Sequence, residues 1–163
     1  MNQEINAAFA KAEQILPFLH IIFAMSIVSI QVVLLIGSRY FLKNFSDDYK
    51  MVLSFCKKFE ISFIILFMLL VLSGFIMSKN GDFKFSDPMV EGILNTKFIL
   101  SGFILLNFGY IYYKLMMIRK NIEKNEVEEV YDNLVIATKY FTSLNIGLCV
   151  IGIYLGVVIV EFR

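Results

Sequence analysis

Residues 15–37 read ILPFLHIIFAMSIVSIQVVLLIG, and this stretch decides the fold. As a helix rising about 1.5 Å per residue it is long enough to cross the ~30 Å hydrocarbon of a bilayer. It lacks the alternation of a barrel strand, and in lipid a helix satisfies its backbone groups internally. His20 and Gln31 are its only strongly polar side chains. An ionisable group at that depth costs roughly 3 kcal/mol or more unless it finds a partner. The run therefore predicts a membrane span with one inward-facing side.

Three more runs of this kind follow, Ile61–Met77, Lys97–Ile118 and Tyr140–Val160. With 58% hydrophobic residues in 163 and a mean hydropathy of +0.73, the chain is too apolar for a soluble domain. The expected fold is all-α, a single integral-membrane four-helix bundle spanning residues 1–163. Residues 1–13 carry Glu4, Lys11 and Glu13 rather than a basic leader, and the first run is too long for a cleaved signal, so it is expected to be retained.

Basic residues set the expected orientation. Arg39, Lys43, Lys50, Lys57, Lys58, Lys114, Arg119, Lys120, Lys124 and Lys139 lie on one side, against Lys11, Lys79, Lys84 and Arg163 on the other. The rule that positive charge stays inside puts both long connections in the cytoplasm and both termini outside, in a bacterial-type cytoplasmic (inner) membrane. A net charge of +1 gives no case for a nucleic-acid partner. Cys56 falls on the cytoplasmic side and Cys149 within the fourth span, so no disulfide is expected.

The cytoplasmic connections read as helix extensions. Ser46 with Asp47 and Asp48 forms an N-cap signal, and Asn125 with Glu128 resembles a capping box. On the outer side, Asn80-Gly81 reads as a turn, and Asp87-Pro88 as the cap and first residue of the third helix. Pro17 is expected to kink the start of the first span. Residues Asn2–Gln14 give a weak signal for an interfacial helix.

At about 100° per residue, each span has one small or polar side. His20, Ala24, Ile27, Gln31 and Ser38 line up in the first. Ser62, Leu66, Leu69 and Ser73 do so in the second, and Lys97, Ser101, Ile104, Phe108 and Tyr112 in the third. Thr138, Thr142, Asn145, Cys149, Gly152 and Gly156 form the stripe of the fourth. These sides are expected to face the bundle centre, because lipid offers polar groups no partner. His20 and Lys97 both come early in spans of the same direction, so they are expected at one level near the outer surface.

An imidazole is a strong axial ligand for haem iron, and an ammonium at equal depth can pair with a carboxylate. Zinc and di-iron sites need three or four ligands, and no span supplies them. Plainer accounts compete with this chemistry. His20 can serve as a hydrogen-bonding tie between helices, Lys97 can snorkel to headgroups, and Gln31 and Asn145 can act as interhelical glue. The eight methionines show no repeated spacing of the kind a copper path would use.

Leu19-His20-Ile21-Ile22, Arg39-Tyr40-Phe41, Thr96-Lys97 and Asn107–Tyr110 together resemble the HemJ-type membrane protoporphyrinogen IX oxidases and the wider four-helix group similar to copper-resistance D proteins. The resemblance is architectural over the whole chain and thin in residues. No tryptophan follows the histidine, Ser38 stands where the family has proline before the arginine, and Ile111 where it has a histidine. It implies a haem b-binding, redox-linked protein passing electrons from protoporphyrinogen to quinone. His20 would be the haem ligand, with Lys97 and Arg39 meeting carboxylates or substrate. One histidine per chain means that bis-histidine ligation requires a second protomer, so a homo-oligomer is compatible. A non-catalytic accessory subunit of a larger membrane complex, and copper or iron handling, are the other two expectations.

Overall fold

The computed structural model describes residues 12–44, 49–80, 88–124 and 126–160. The described chain is helical. Helix α1 covers Ala12–Asn44, α2 Tyr49–Asn80, α3 Pro88–Glu123, α4 Val127–Val135 and α5 Ser143–Val160. A π-helical stretch, Ile136–Thr142, joins α4 to α5, so these two form one continuous rod. Four segments are long and apolar enough to cross a membrane, namely Ile15–Tyr40, Met51–Lys79, Pro88–Glu123 and Glu128–Ile159. The chain thus reads as a multi-pass membrane protein. At about 1.5 Å per residue, α1 and α3 each exceed 45 Å, well beyond the ~30 Å of hydrocarbon.

The expected cap at Ser46–Asp48, the turn residue Gly81, the cap at Asp87, Asn125 and the segment before Ala12 lie outside the described residues. Pro88 does open α3, and α4 begins at Val127 with Glu126 as its N-cap residue and no side-chain cap bond. Pro17 sits inside α1 without ending it.

Packing follows chain order around a square. Helix α1 lies along α2, α3 lies along the α4–α5 rod, and α1 closes the ring against α5. Helices α2 and α3 meet mainly through large side chains. Phe63 stacks on Phe108 with ring centroids 4.2 Å apart, and Phe59 and Phe67 flank the pair. Bulky rings hold these two backbones apart while filling the seam between them. Where α1 meets α2 the residues are smaller. A Cβ built on Gly74 would come within 3.2 Å of the His20 ring.

The buried faces agree with the expected stripes in α1 (Ile27, Gln31, Ser38) and in the fourth rod (Thr138, Thr142, Asn145, Cys149). In α2 they do not. Its core face is Val52, Cys56, Phe59, Glu60, Phe63 and Phe67, and of the predicted stripe only Ser73 is buried, with Ser62 and Leu69 exposed. In α3, Ile104 and Phe108 are buried as expected, whereas Tyr112 is exposed. The reason is visible in the hydroxyls. Ser29, Ser38, Ser73 and Ser101 each donate to a carbonyl three or four residues back on their own helix. A serine satisfied by its own backbone can face either way, and Ser29 is exposed while Ser38 and Ser73 are buried.

Candidate functional site at the histidine end

Four helix ends meet at one level: the start of α1, the end of α2, the start of α3 and the end of α5. His20 comes from α1 and lies against α2. Its Nδ1 is 2.8 Å from Ser73 Oγ, and Ser73 Oγ in turn donates to the Leu70 carbonyl at 2.9 Å. A hydroxyl has one proton, so with that proton given to Leu70 the Ser73 oxygen accepts from Nδ1–H. The Leu70 carbonyl also contacts the imidazole, and a carbonyl can only accept. Both acceptors are satisfied by a proton on Nδ1. In that tautomer the Nε2 lone pair is uncommitted. Gly74 makes the approach possible, since any larger residue would push on the ring.

Lys97 comes from α3 and lies against α5. Its Nζ is 3.3 Å from the position a Cβ on Gly156 would occupy. One turn along, Leu100 fills the matching space beside Gly152. The GxxxG pair of α5 therefore admits two side chains of α3. Among the described residues the Lys97 ammonium has no hydrogen-bond or ion-pair partner. It is half-buried, as is His20. The two groups sit on opposite seams of one layer, with the ammonium within electrostatic range of the imidazole.

Arg39, which the resemblance implies meets carboxylates or substrate, does not join this layer. It is exposed and 19 residues beyond His20 on the same helix, about 28 Å along the axis. It cannot touch a ligand held between His20 and Lys97 at the far end of the bundle.

The end of the bundle near Arg39 carries a second polar layer that the sequence reading missed. Arg119 of α3 pairs with Glu60 of α2 at 2.8 Å, and Glu60 is buried. Lys114 donates to Asn133 at 3.0 Å, and Asn121 to Glu129 at 2.9 Å, tying α3 to α4. Glu60 stands just ahead of the apolar run that begins at Ile61, so hydropathy leaves it out. The spacing of Cys56, Glu60, Phe63 and Phe67 along one face was the available signal.

Mid-bundle, Gln31 of α1 donates to the Ile27 carbonyl at 3.1 Å and approaches Cys149 Sγ at 3.5 Å. Asn107 of α3 donates to the Phe141 carbonyl in the π-helical stretch at 2.8 Å. Both cysteines are free thiols.

The donor set can be tested against a haem. His20 offers one nitrogen ligand whose orientation is fixed from behind by Ser73, the arrangement that metal-bound imidazoles generally have. Lys97 offers a cation with no partner among the described residues, which could meet a carboxylate at the same level. These fit one axial position and one propionate. Among the described residues no cluster of three or more His, Cys, Asp or Glu could hold a metal ion. Met25, Met51, Met68 and Met89 are exposed on the outside of the bundle. No protein-family model, no curated protein and no solved structure matches this chain.

Proposed function

We propose that this protein binds haem b at the histidine end of the bundle and takes part in a membrane redox reaction of the HemJ type. Its orientation would place both termini outside and the basic end in the cytoplasm of a bacterial-type inner membrane. The single observation carrying the proposal is the His20–Ser73–Leu70 relay, which with the proton on Nδ1 leaves Nε2 as the ligand atom. Iron bound there would supply one-electron chemistry, with quinone as the acceptor class. The chain's own residues do the rest. Ser73 holds the imidazole's tautomer and rotation, Gly74 lets the ring seat against α2, and Lys97 offsets one carboxylate's charge in a site where water is scarce. Arg39 is left outside this site and free to meet headgroups.

The same hydrogen bond favours a second reading, in which His20 is a tie between α1 and α2 in an accessory subunit. An absorption spectrum separates them. Protein purified in detergent and titrated with haemin should develop a Soret band, lost in His20→Ala and blue-shifted or weakened in Ser73→Ala. A wild-type protein that stays colourless, and that loses thermal stability in His20→Ala, would make the histidine a packing residue and end the haem proposal.

A further inference from the structure

Midway through the bundle, on the seam between α1 and α5, lie two amide side chains with no solvent exposure at all, Gln31 and Asn145. Three of their four polar atoms have no partner: Gln31 Oε1, Asn145 Oδ1 and Asn145 Nδ2. The fourth, Gln31 Nε2, is already committed to the Ile27 carbonyl and to Cys149 Sγ. Asn145 is one helical turn from Cys149 on the same buried face of α5, so the thiol that Gln31 touches lies beside both amides. Orphaned polar atoms are rarely left so in a native interior, least of all where lipid surrounds the bundle.

The chemistry of the open valences selects the guest. Two acceptors and one donor lie open on the buried faces either side of Cys149. A cation would satisfy the two oxygens and be repelled by the Nδ2 protons. An anion would meet the donor and be repelled by both oxygens. A neutral molecule that both donates and accepts satisfies all three, and water is the smallest that does. We infer that Gln31 and Asn145 form an internal hydration site at mid-depth, holding one or two waters between α1 and α5 against Cys149.

The neighbouring backbone agrees. The π-helical stretch Ile136–Thr142 ends three residues before Asn145, and Thr142 Oγ1 donates five residues back to the Ala137 carbonyl. Such widened turns open local room and recur at functional positions in helices. Thr138 and Thr142 are both buried, and each hydroxyl gives its proton to its own helix, leaving its oxygen able to accept. A polar lane thus continues from Asn145 toward the basic end. The site owes nothing to the haem reading and stands or falls apart from it.

Cys149 is a built-in reporter. X-ray radiolysis of the full chain in nanodiscs generates hydroxyl radicals from bound water where it sits, and peptide mass spectrometry reads the oxidised residue. Cys149 should be oxidised despite its burial, taking label from heavy-oxygen water. The double variant Gln31→Leu/Asn145→Leu should lose that oxidation. Equal oxidation of Cys149 in both proteins, or none in the wild type, overturns the inference. If the double variant does not fold, water-to-protein magnetisation transfer on the wild type decides alone. The Asn145 side-chain amide should receive water polarisation early, ahead of the dry Phe63 ring, and arrival no earlier than at Phe63 refutes the site.

Discussion

Breaking the Glu60–Arg119 pair should cost stability asymmetrically, and the structure says in which direction. At 2.8 Å and an effective dielectric of about 20, Coulomb's law gives ~6 kcal/mol of gross attraction. Two corrections reduce it. The Arg119 side chain is 33% exposed, so solvent screens part of the field, while Glu60 at 6% carries a desolvation cost that the pair must offset. Truncating Arg119 to alanine strands a buried carboxylate whose other oxygen, Oε1, already lacks a partner. That change should cost about 2–3 kcal/mol, between the values for exposed and fully buried pairs. Glu60→Gln keeps the volume and removes the charge, and Arg119 can turn to solvent, so it should cost only ~1 kcal/mol. The double variant should recover about 1–2 kcal/mol of the summed loss. Unfolding in mixed micelles by added dodecyl sulfate, followed by helical ellipticity, measures each value. A loss below about 0.5 kcal/mol for Arg119→Ala, or a greater loss for Glu60→Gln than for Arg119→Ala, would falsify the account of the pair as a one-sidedly buried tie.

Two further outcomes follow from packing. Phe63→Ala removes a fully buried ring stacked between α2 and α3 and should destabilise by about 3–5 kcal/mol in the same assay, where a loss under ~1 kcal/mol would show the aromatic seam to be dispensable. Gly74→Val places a branched side chain against the His20 ring and should break the Nδ1–Ser73 bond, at about 1–3 kcal/mol of overpacking cost. Nitrogen chemical shifts of the imidazole report that break, and unchanged shifts would contradict the close approach.

The sequence made the helices plain and their inner faces less so. Four runs of apolar residues are enough to declare four spans, because hydrocarbon thickness fixes the length needed. The faces of α1 and α5 were legible because Gln31, Asn145 and Thr142 are too polar to leave in lipid. The face of α2 was not. Both lipid and core welcome Phe and Leu, so hydrophobicity cannot say which way Phe63 points, and Ser62 gave a false bearing because serine can satisfy itself on its own turn. Glu60 escaped for a different reason. Hydropathy runs end at the first charge, whereas the helix continues past it. Within the candidate site, the common level of His20 and Lys97 followed from span direction alone. Their seats on Gly74 and Gly156 required the coordinates, because a glycine in a span is as often incidental as it is a seat.

One feature of the fourth rod reaches further than packing. Its buried residues Val130, Asn133, Leu134, Ala137 and Thr138 keep the usual three-and-four spacing, but the next is Thr142, and in a regular α-helix a four-residue step drifts roughly 40° off the face. The widened turn at Ile136–Thr142 cancels that drift by holding one residue of slack. Slack of this kind can travel, passing from turn to turn like a ruck in a carpet without parting the rod. Moving it one turn toward the C-terminus would turn Asn145 off its buried face while leaving α4 clamped to α3. A one-residue deletion there would remove that slack and turn α5 by about 100° relative to α4.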